Sequence, residues 1–318
     1  MLWGYFKKMV LADHLFLFVS AYYKGAAAQQ SGPATVAAAV FFALQLYLDF
    51  SGCCDMAIGG ARVMGFSLME NFDNPFLATS WADLWRRWHK SLTGWFRDYV
   101  YISLGGNRKG LPRWALNTLI VFGISGIWHG LDWGYLWWGV ACGALLVVEQ
   151  LPARIRKAKA ARVPVTAGAS CETPVHSQND AGAKSAKSES TAAAFGKRWL
   201  RRIFTFTEFW LCFILFAQAL YAQPGSSRGF TALFTGWNAA GLAALQTTLD
   251  NAKITGPLAL VLAAGILLVF AVESRGNVSE WIRRRNVVIR WGLYYLLMLA
   301  ILFFGVFGKS VFIYQGYF

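Results

Sequence analysis

Two histidines in an apolar, tryptophan-rich stretch are the side chains of this sequence best suited to chemistry. His129 lies in the run Trp128-His129-Gly130, between two apolar segments, and His89 ends the earlier run Trp85-Arg86-Arg87-Trp88-His89. A neutral imidazole in an apolar cavity can take a proton from a hydroxyl group as that group attacks an acyl carbon. Burial disfavours imidazolium and keeps such a base neutral. A lone histidine in apolar sequence is also often structural, held by one hydrogen bond, so spacing alone leaves both readings open.

Other kinds of reactive site are not indicated. The sequence has no aspartate-rich metal motif, nucleotide-binding loop or nucleophile elbow. Its 5 cysteines are scattered without a Cys-x-x-Cys pair or a disulfide framework, and we interpret them as small core residues. We therefore expect no bound metal or cofactor.

Composition sets the class of protein that must position these histidines. Of the 318 residues 56% are hydrophobic and only 14% are charged, which is too apolar for a soluble domain and predicts an all-α, polytopic integral membrane protein. The net charge of +14 could suggest nucleic acid. The cations cluster in loops that bound apolar spans, however, so we expect a lipid bilayer as partner and no nucleic acid.

The hydropathy pattern predicts about seven transmembrane helices plus interfacial helices. The expected spans are 33–50, 54–69 (short or discontinuous), 114–128, 131–151, 203–222, 257–272 and 291–308. A single helix over 114–151 would be about 57 Å long against a hydrocarbon core of about 30 Å, so we expect a turn at Gly130. Asp55 and Arg62 share one helical face; we expect a buried ion pair between them, with a substrate contact as the alternative.

Three segments are predicted to lie at the membrane surface. Leu2 to Met9 has apolar residues at helical spacing with lysines between them, typical of an interfacial helix. The stretch from Trp81 to Trp95 carries one apolar stripe and an Asp83–Arg87 pair, which predicts an amphipathic helix. A further interfacial helix is expected within 230–249.

Charge and composition also divide the chain. Residues 152–198 are rich in Ala, Lys, Ser, Thr and Gly and predict a disordered basic cytosolic loop. It separates a core with both histidines, 1–151, from C-terminal transmembrane helices of the same domain, 199–318. Nearly all of the 30 Lys and Arg residues lie in 1–32, 66–113, 151–202 and 273–290, which places these segments in the cytosol.

Several longer runs carry a family resemblance. They are Asp49-Phe50-Ser51-Gly52, Asp55-Met56-Ala57-Ile58-Gly59, Glu70-Asn71-Phe72, Trp85-Arg86-Arg87-Trp88-His89, Trp95-Phe96-Arg97-Asp98-Tyr99, Leu104-Gly105-Gly106-Asn107-Arg108 and Gly126-Ile127-Trp128-His129-Gly130. With these runs, residues 47–140 resemble the membrane-bound O-acyltransferase superfamily, in particular its alginate-acetylating membrane subunits. The segments Gly4 to Asp13 and Phe312-Ile313-Tyr314 extend the resemblance.

The resemblance implies a role for each histidine. His129 matches the catalytic histidine, and His89 matches a second histidine near the cytoplasmic mouth of a tunnel. The expected substrate-binding residues stand in the matching runs: Trp85, Arg86, Trp128 and Asn107. By resemblance, acetyl-CoA is the cytosolic thioester donor, and the acetyl group crosses the bacterial inner membrane for O-acetylation of an exported polysaccharide such as alginate. Expected partners are a periplasmic acetyltransferase or polysaccharide-biosynthesis proteins.

Alternative functions stay open. The Leu-Gly-Gly-Asn-Arg run favours acetylating over D-alanyl-transferring relatives, and the second alternative is a non-catalytic scaffold or channel of an acylation complex. A transporter would show repeated half-units, and the sequence has no such repeat. Met1 starts about where the family's second half starts, so we expect the family's N-terminal spans to be missing and activity to depend on them.

Overall fold

The computed structural model describes residues 1–25, 30–160, 191–221, 229–276 and 278–308. Its elements in chain order are α1 (Leu2–Tyr5), a π-helical turn (Phe6–Ala12), α2 (Asp13–Lys24), α3 (Gly32–Val63), a 3₁₀ turn (Pro75–Leu77), α4 (Trp81–Arg87), α5 (Lys90–Trp95), a second π-helical turn (Phe96–Tyr101), α6 (Gly110–His129), α7 (Trp133–Ala160), α8 (Thr191–Tyr221), α9 (Gly229–Ala232), α10 (Ala239–Asn251), α11 (Gly256–Glu273), α12 (Val278–Arg283) and α13 (Val287–Phe304). All elements in these ranges are helical, which confirms the predicted all-α class.

Five described helices are long and apolar enough to cross a membrane: α3, α7, α8, α11 and α13. The helical segments that precede α3, together with α6, pack among these five through shared contacts. A polytopic membrane fold is therefore confirmed. The count of about seven crossings stays a prediction.

The third helix differs from the expected pair of spans at 33–50 and 54–69. It runs without a break from Gly32 to Val63, with Ser31 accepting a hydrogen bond from the backbone N–H of Ala34 at its N-terminus. Each glycine in a helix costs only about 1 kcal/mol, so Gly59 and Gly60 do not interrupt a helix that packing stabilises. The prediction of a discontinuous return span was wrong.

The chain's first helices are buried, whereas an interfacial helix was expected. They run antiparallel to α3: Gly4 lies against the carbonyl oxygen of Gly52, and the hydroxyl of Tyr22 is 2.6 Å from Thr35 Oγ1. Between these contacts Leu11 and Phe18 are fully buried. The interfacial prediction fails because the lysines that it placed in water have carboxylate partners inside the fold.

Those lysines build two buried ion clusters. Lys7 Nζ lies 2.6 Å from Asp55 and 2.9 Å from Glu273, and it donates to Ser51 Oγ at 3.0 Å. We call Lys7, Asp55 and Glu273 the Lys7 cluster.

The second cluster is built on the next lysine. Lys8 Nζ lies 2.8 Å from Asp13 and 2.7 Å from Asp49. The expected Asp55–Arg62 pair is wrong: Arg62 is exposed and donates to Ser279 Oγ at 3.0 Å.

Three basic segments of the described chain meet at one end of the bundle, here called the cationic end. Glu149, late in α7, accepts from the backbone N–H groups of Trp81 and Ala82 at 3.0 and 2.8 Å. Arg202, early in α8, donates to the carbonyl oxygen of Leu77 at 3.2 Å. These contacts bring segment 66–113 together with the C-terminal part of α7 and the N-terminal part of α8.

Helices α6 and α7 form a close antiparallel hairpin. A side chain at Gly126 would overlap the carbonyl oxygen of Tyr135, and one at Gly139 would overlap that of Phe122. Gly130, with a φ of 159°, ends α6 before the turn. The predicted turn at Gly130 is confirmed, and the glycines serve close helix packing.

Some predicted boundaries are corrected by the structure. Helix α7 continues to Ala160 and α8 begins at Thr191, so both ends of the expected loop 152–198 are helical. Residues 161–190, with Cys171 and His176, lie outside the described residues, as does the motif Phe312-Ile313-Tyr314. The helix expected within 230–249 begins at Ala239, where Asn238 caps it.

Candidate functional site

His129 is the last residue of α6 and lies inside an aromatic enclosure. Its side chain is 5% exposed. The imidazole centroid lies 4.9 Å from the ring of Trp128, 5.3 Å from Trp138 and 5.1 Å from Phe216, all edge-to-face. Three helices, α6, α7 and α8, therefore enclose this histidine, and little water reaches it.

His89 occupies a strained break between α4 and α5. Its φ is 42°, a left-handed conformation that costs a non-glycine residue roughly 1–2 kcal/mol. Asn71 holds the break: its carbonyl oxygen accepts from Lys90 N–H at 2.9 Å and its Oδ1 accepts from Ser91 N–H at 3.1 Å. The predicted continuous helix from Trp81 to Trp95 is thus wrong, although the Asp83–Arg87 pair is present at 3.1 Å.

The break turns the His89 side chain inward. Its ring packs edge-to-face on Phe50 with centroids 4.6 Å apart, and its Nδ1 lies 3.3 Å from Ser91 Oγ. Burial lowers the pKa of His89 to about 4. The imidazole is therefore neutral across the physiological pH range.

One cavity of about 250 Å³ joins the two histidines. It runs between the α6–α7 hairpin, the α4–α5 segment and α8. Side chains that line it include Trp85, His89, Arg97, Tyr101, Trp114, Thr118, Phe122, Ser125, His129, Trp138, Gln150, Arg154, Phe213 and Phe216. An apolar channel lined by two histidine bases can hold a reactive acyl group away from water.

The structure brings only some of the predicted site residues together. Trp85 lines the cavity with His89 and His129, and its ring lies 5.2 Å from that of Phe122. Arg86 does not line it: its side chain is 74% exposed and pairs with Asp83 at 3.3 Å.

Trp128 and Asn107 also lie outside the cavity lining. Trp128 is 49% exposed, although its ring edge touches His129. Asn107 is exposed in a turn that buried Asn117 holds by donating to the carbonyl oxygens of Leu104 and Gly106 at 3.2 and 2.9 Å. The conspicuous Gly-Gly-Asn-Arg run therefore shapes a turn at the cationic end and does not reach the cavity.

Other cavity residues were missed by sequence reasoning. Trp138, Gln150 and Arg154 come from α7, and Phe216 comes from α8. For α6 a signal existed: Thr118, Ser125 and His129 place the polar groups of an apolar helix on one face, at multiples of about one turn. In the described residues no group of three or more His, Cys, Asp or Glu side chains could hold a metal ion.

Comparison with known proteins agrees with this geometry. A sequence model of the membrane-bound O-acyltransferase family matches residues 7–167, which include both histidines and the α6–α7 hairpin. Over 147 residues the chain is 43% identical to a probable alginate O-acetylase of Pseudomonas putida, covering 46% of this chain and 30% of that protein.

Two further relatives match the same part of the chain. A peptidoglycan O-acetyltransferase of Helicobacter pylori is 39% identical over 147 residues, covering 46% of this chain and 28% of the relative. A teichoic acid D-alanyltransferase of Bacillus subtilis is 34% identical over 112 residues, covering 33% and 28%. Each match thus spans less than a third of the relative's length. Because the family model covers half of this sequence and its two cavity histidines, the chain belongs to the membrane-bound O-acyltransferase family.

Proposed function

We propose that this protein transfers an acetyl group from a thioester to a hydroxyl acceptor, with His129 as the general base. The observation that carries the proposal is the shared cavity, in which His129 and neutral His89 face one apolar channel that leads toward the cationic end. The predicted catalytic role of His129 and the guiding role of His89 are both part of this proposal.

The chemical step is an ordinary acyl transfer. The acceptor hydroxyl gives its proton to the imidazole of His129 while its oxygen bonds to the thioester carbonyl carbon. The carbon–sulfur bond then breaks, and the leaving thiolate takes the proton back from the imidazolium. The aromatic rings around His129 exclude water, which protects the thioester from hydrolysis.

The cellular setting follows from charge and from the relatives. The positive-inside rule places the cationic end in the cytosol, so the acyl donor, acetyl-CoA in this proposal, enters there. Two of the relatives are named for O-acetylation of alginate or peptidoglycan, and we infer an exported polysaccharide as the acceptor. Multi-pass insertion in the bacterial inner membrane and work with a periplasmic acetyltransferase or polysaccharide-biosynthesis proteins complete the proposal.

A second candidate is D-alanyl transfer. The similarity to a teichoic acid D-alanyltransferase favours it, and the same cavity chemistry would serve. The two functions differ in the acyl group, so supplying membranes with labelled acetyl or labelled D-alanyl thioester separates them. A non-catalytic scaffold is the third candidate, and it predicts no dependence on His129.

The decisive experiment replaces one histidine at a time. Membranes that contain the full chain and its acceptor polymer are assayed for acetyl ester per sugar. His129→Gln removes the base but keeps hydrogen bonding, and we expect a loss of about 10²- to 10⁴-fold in rate. His89→Ala should raise the KM for the acyl donor more than it lowers kcat.

The matched control is His14→Gln. His14 lies in α2, outside the cavity, with its Nδ1 2.9 Å from the carbonyl oxygen of Val10. The His14→Gln variant should transfer acetyl groups at the wild-type rate. Wild-type acetylation by His129→Gln at equal protein abundance would leave the scaffold reading in place.

A further inference from the structure

Acyl transfer places a negative charge on the carbonyl oxygen of the donor, and an apolar cavity must stabilise that charge. As the acceptor oxygen adds to the carbonyl carbon, the electron pair of the C=O double bond moves to the carbonyl oxygen. His129 takes up the acceptor's proton, which leaves the oxyanion to be stabilised by other groups. Because N–H and O–H donors aimed at such an oxygen lower the barrier, the cavity wall near His129 should contain donors that no protein acceptor occupies.

Several polar side chains of the cavity wall already have partners. Thr118 Oγ1 donates to the carbonyl oxygen of Trp114 at 2.9 Å, and Thr93 Oγ1 donates to that of Trp88 at 3.2 Å. Arg97 is paired with the aspartate that follows it at 2.7 Å. The hydrogens of these groups are used within the protein, so they do not meet the requirement.

Ser125 does meet it. Ser125 precedes His129 by four residues in α6 and also lines the cavity, so the two side chains lie on one face of the helix, about 6 Å apart along its axis. A helical hydroxyl can donate to the carbonyl oxygen of the preceding turn, as Thr118 does. Among the described residues the Ser125 hydroxyl has no hydrogen-bond partner, so its hydrogen is available to a ligand.

Trp138 supplies a second donor, from α7. Its side chain is 3% exposed and its ring lies 5.3 Å from the imidazole of His129, edge-to-face. Within the described part of the chain its Nε1 has no acceptor, whereas Nε1 of the equally buried Trp81 donates to the carbonyl oxygen of Cys142 at 2.9 Å. A buried N–H without an acceptor is costly. A bond to a ligand that enters the cavity would remove this cost.

We propose that Ser125 Oγ and Trp138 Nε1 form the oxyanion hole of the acyl transfer. They donate to the carbonyl oxygen of the acetyl thioester as it becomes negatively charged. This inference rests on the proposed function. The tetrahedral intermediate then reforms its C=O double bond and expels the thiolate, which takes the proton from the His129 imidazolium. Ser125 and Trp138 keep their own hydrogens throughout and act as catalytic residues, because they touch the reacting oxygen.

The test removes one donor at a time. Ser125→Ala and Trp138→Phe are assayed for acetyl transfer per folded protein, in membranes that contain the full chain and its acceptor polymer. Loss of one oxyanion donor should lower kcat about 10²- to 10³-fold. The KM for acetyl-CoA should stay at the wild-type value, since the bonds form in the transition state.

A shape-preserving replacement covers the case in which Trp138→Phe does not fold. Benzothienylalanine at position 138 keeps both fused rings and has sulfur in place of the N–H group. It should lower kcat as much as Trp138→Phe does. Wild-type kcat with benzothienylalanine would show that only the shape of the ring matters, and would overturn the role of Trp138.

Trp81→Phe and Ser103→Ala are the matched controls. Trp81 is a buried indole outside the cavity lining, and the Ser103 hydroxyl is bound to a backbone carbonyl oxygen at 2.8 Å, also outside the cavity lining. Both variants should keep the wild-type kcat per folded protein, although Trp81→Phe should lower the yield. Equal kcat values for Ser125→Ala and Ser103→Ala would overturn the role of Ser125.

Trp85 offers an internal check on the second donor. Its side chain also lines the cavity, and its Nε1 also has no acceptor among the described residues. The ring contact with His129 assigns the oxyanion to Trp138. A loss of kcat in Trp85→Phe, with Trp138→Phe at the wild-type rate, would overturn that assignment.

A binding measurement separates this inference from the proposed catalysis. The ligand is a trifluoromethyl ketone analogue of acetyl-CoA, whose hydrated carbonyl carbon is tetrahedral and forms in water without a base. It should bind wild type and His129→Gln more tightly than CoA does. Ser125→Ala and Trp138→Phe should lose that extra affinity while they keep the wild-type Kd for CoA. Equal affinity of all four proteins for the ketone would refute the oxyanion hole.

The two levels of the argument can fail separately. If His129→Gln is inactive while Ser125→Ala and Trp138→Phe transfer acetyl groups at the wild-type rate, the proposed function stands and this inference fails. If all three variants transfer at the wild-type rate, the proposed function fails, and this inference fails with it.

Discussion

Replacement of Lys7 by methionine should destabilise the protein by leaving two carboxylates without their shared cation. The Lys7 side chain is 2% exposed, and its two carboxylate partners, Asp55 and Glu273, are 35% and 13% exposed. Methionine fills the space of the lysine stem but leaves two close carboxylates with no cation. Breaking a buried pair in this way costs about 3–5 kcal/mol, and the partial exposure of Asp55 places the expected loss near the lower value.

The charges in the Lys7 cluster predict which variants are destabilised most. With one lysine and two carboxylates, Glu273→Gln leaves a neutral Lys7–Asp55 pair. The amide oxygen of Gln can still accept from Trp3 Nε1, and its NH2 group can donate to Tyr47 Oη, whose hydroxyl can also act as an acceptor. We therefore expect Glu273→Gln to stay within about 1 kcal/mol of wild type. The triple variant Lys7→Met/Asp55→Asn/Glu273→Gln should recover most of the loss, since removing a whole buried ion cluster is often nearly neutral.

The assay is thermal unfolding of the purified full chain in detergent, with recovery in the monodisperse fraction as a second readout. At about 2 °C per kcal/mol, Lys7→Met should lower the Tm by about 6 °C. Exposed Lys24→Met is the control and should change the Tm by about 1 °C or less. If Lys7→Met and Lys24→Met have the same Tm, the Lys7 cluster does not stabilise the protein and the charge argument is refuted.

Two more predictions concern His89 and the orientation of the bundle. Because the pKa of His89 is about 4 in the folded chain and about 6.5 when unfolded, the unfolded state binds more protons between these values; stability should fall by up to about 3 kcal/mol as pH drops from 6.5 through 4. His89→Gln should lose less stability than the wild type as the pH falls. Equal losses of stability in the two proteins would contradict the burial argument. For orientation, Leu131→Cys, at a 97% exposed position, should react with a membrane-impermeant maleimide in intact cells, whereas Asn107→Cys should react only in inverted vesicles; the reverse pattern would invert the proposed topology.

The parts of the fold that depend only on a short stretch of sequence could be predicted from the sequence. The apolar runs that became α11 and α13, and the turn at Gly130, were placed within a few residues because length and hydropathy decide them. The expected break in α3 was wrong because local glycine content was weighed without the tertiary contacts of Gly59 with Met1. Lys7 and Lys8 were placed in water because most of their carboxylate partners, Asp49, Asp55 and Glu273, lie far away in the sequence.

The candidate site was likewise predictable from the sequence only in part. The two histidines were found from residue type and setting, whereas the backbone conformation that turns His89 inward depends on hydrogen bonds from Asn71. Arg86, Trp128 and Asn107 were expected in the site because they stand in the motifs that carry the family resemblance. Adjacency in sequence does not fix direction: at a break such as the one at His89, neighbouring side chains leave on different sides.

The face of α6 shows what a sequence can reveal about a buried channel. In a helix surrounded by lipid and apolar neighbours, a polar group is costly on any face that meets hydrocarbon. Thr118, Ser125 and His129 share one face, and the same face carries Trp114, on which Arg154 stacks. The hydroxyl of Thr118 is satisfied within its own helix by the carbonyl oxygen of Trp114 at 2.9 Å, so it lines the channel without needing water. The polar stripe, which starts beneath Arg154 and ends at His129, lines the cavity within an otherwise apolar group of helices.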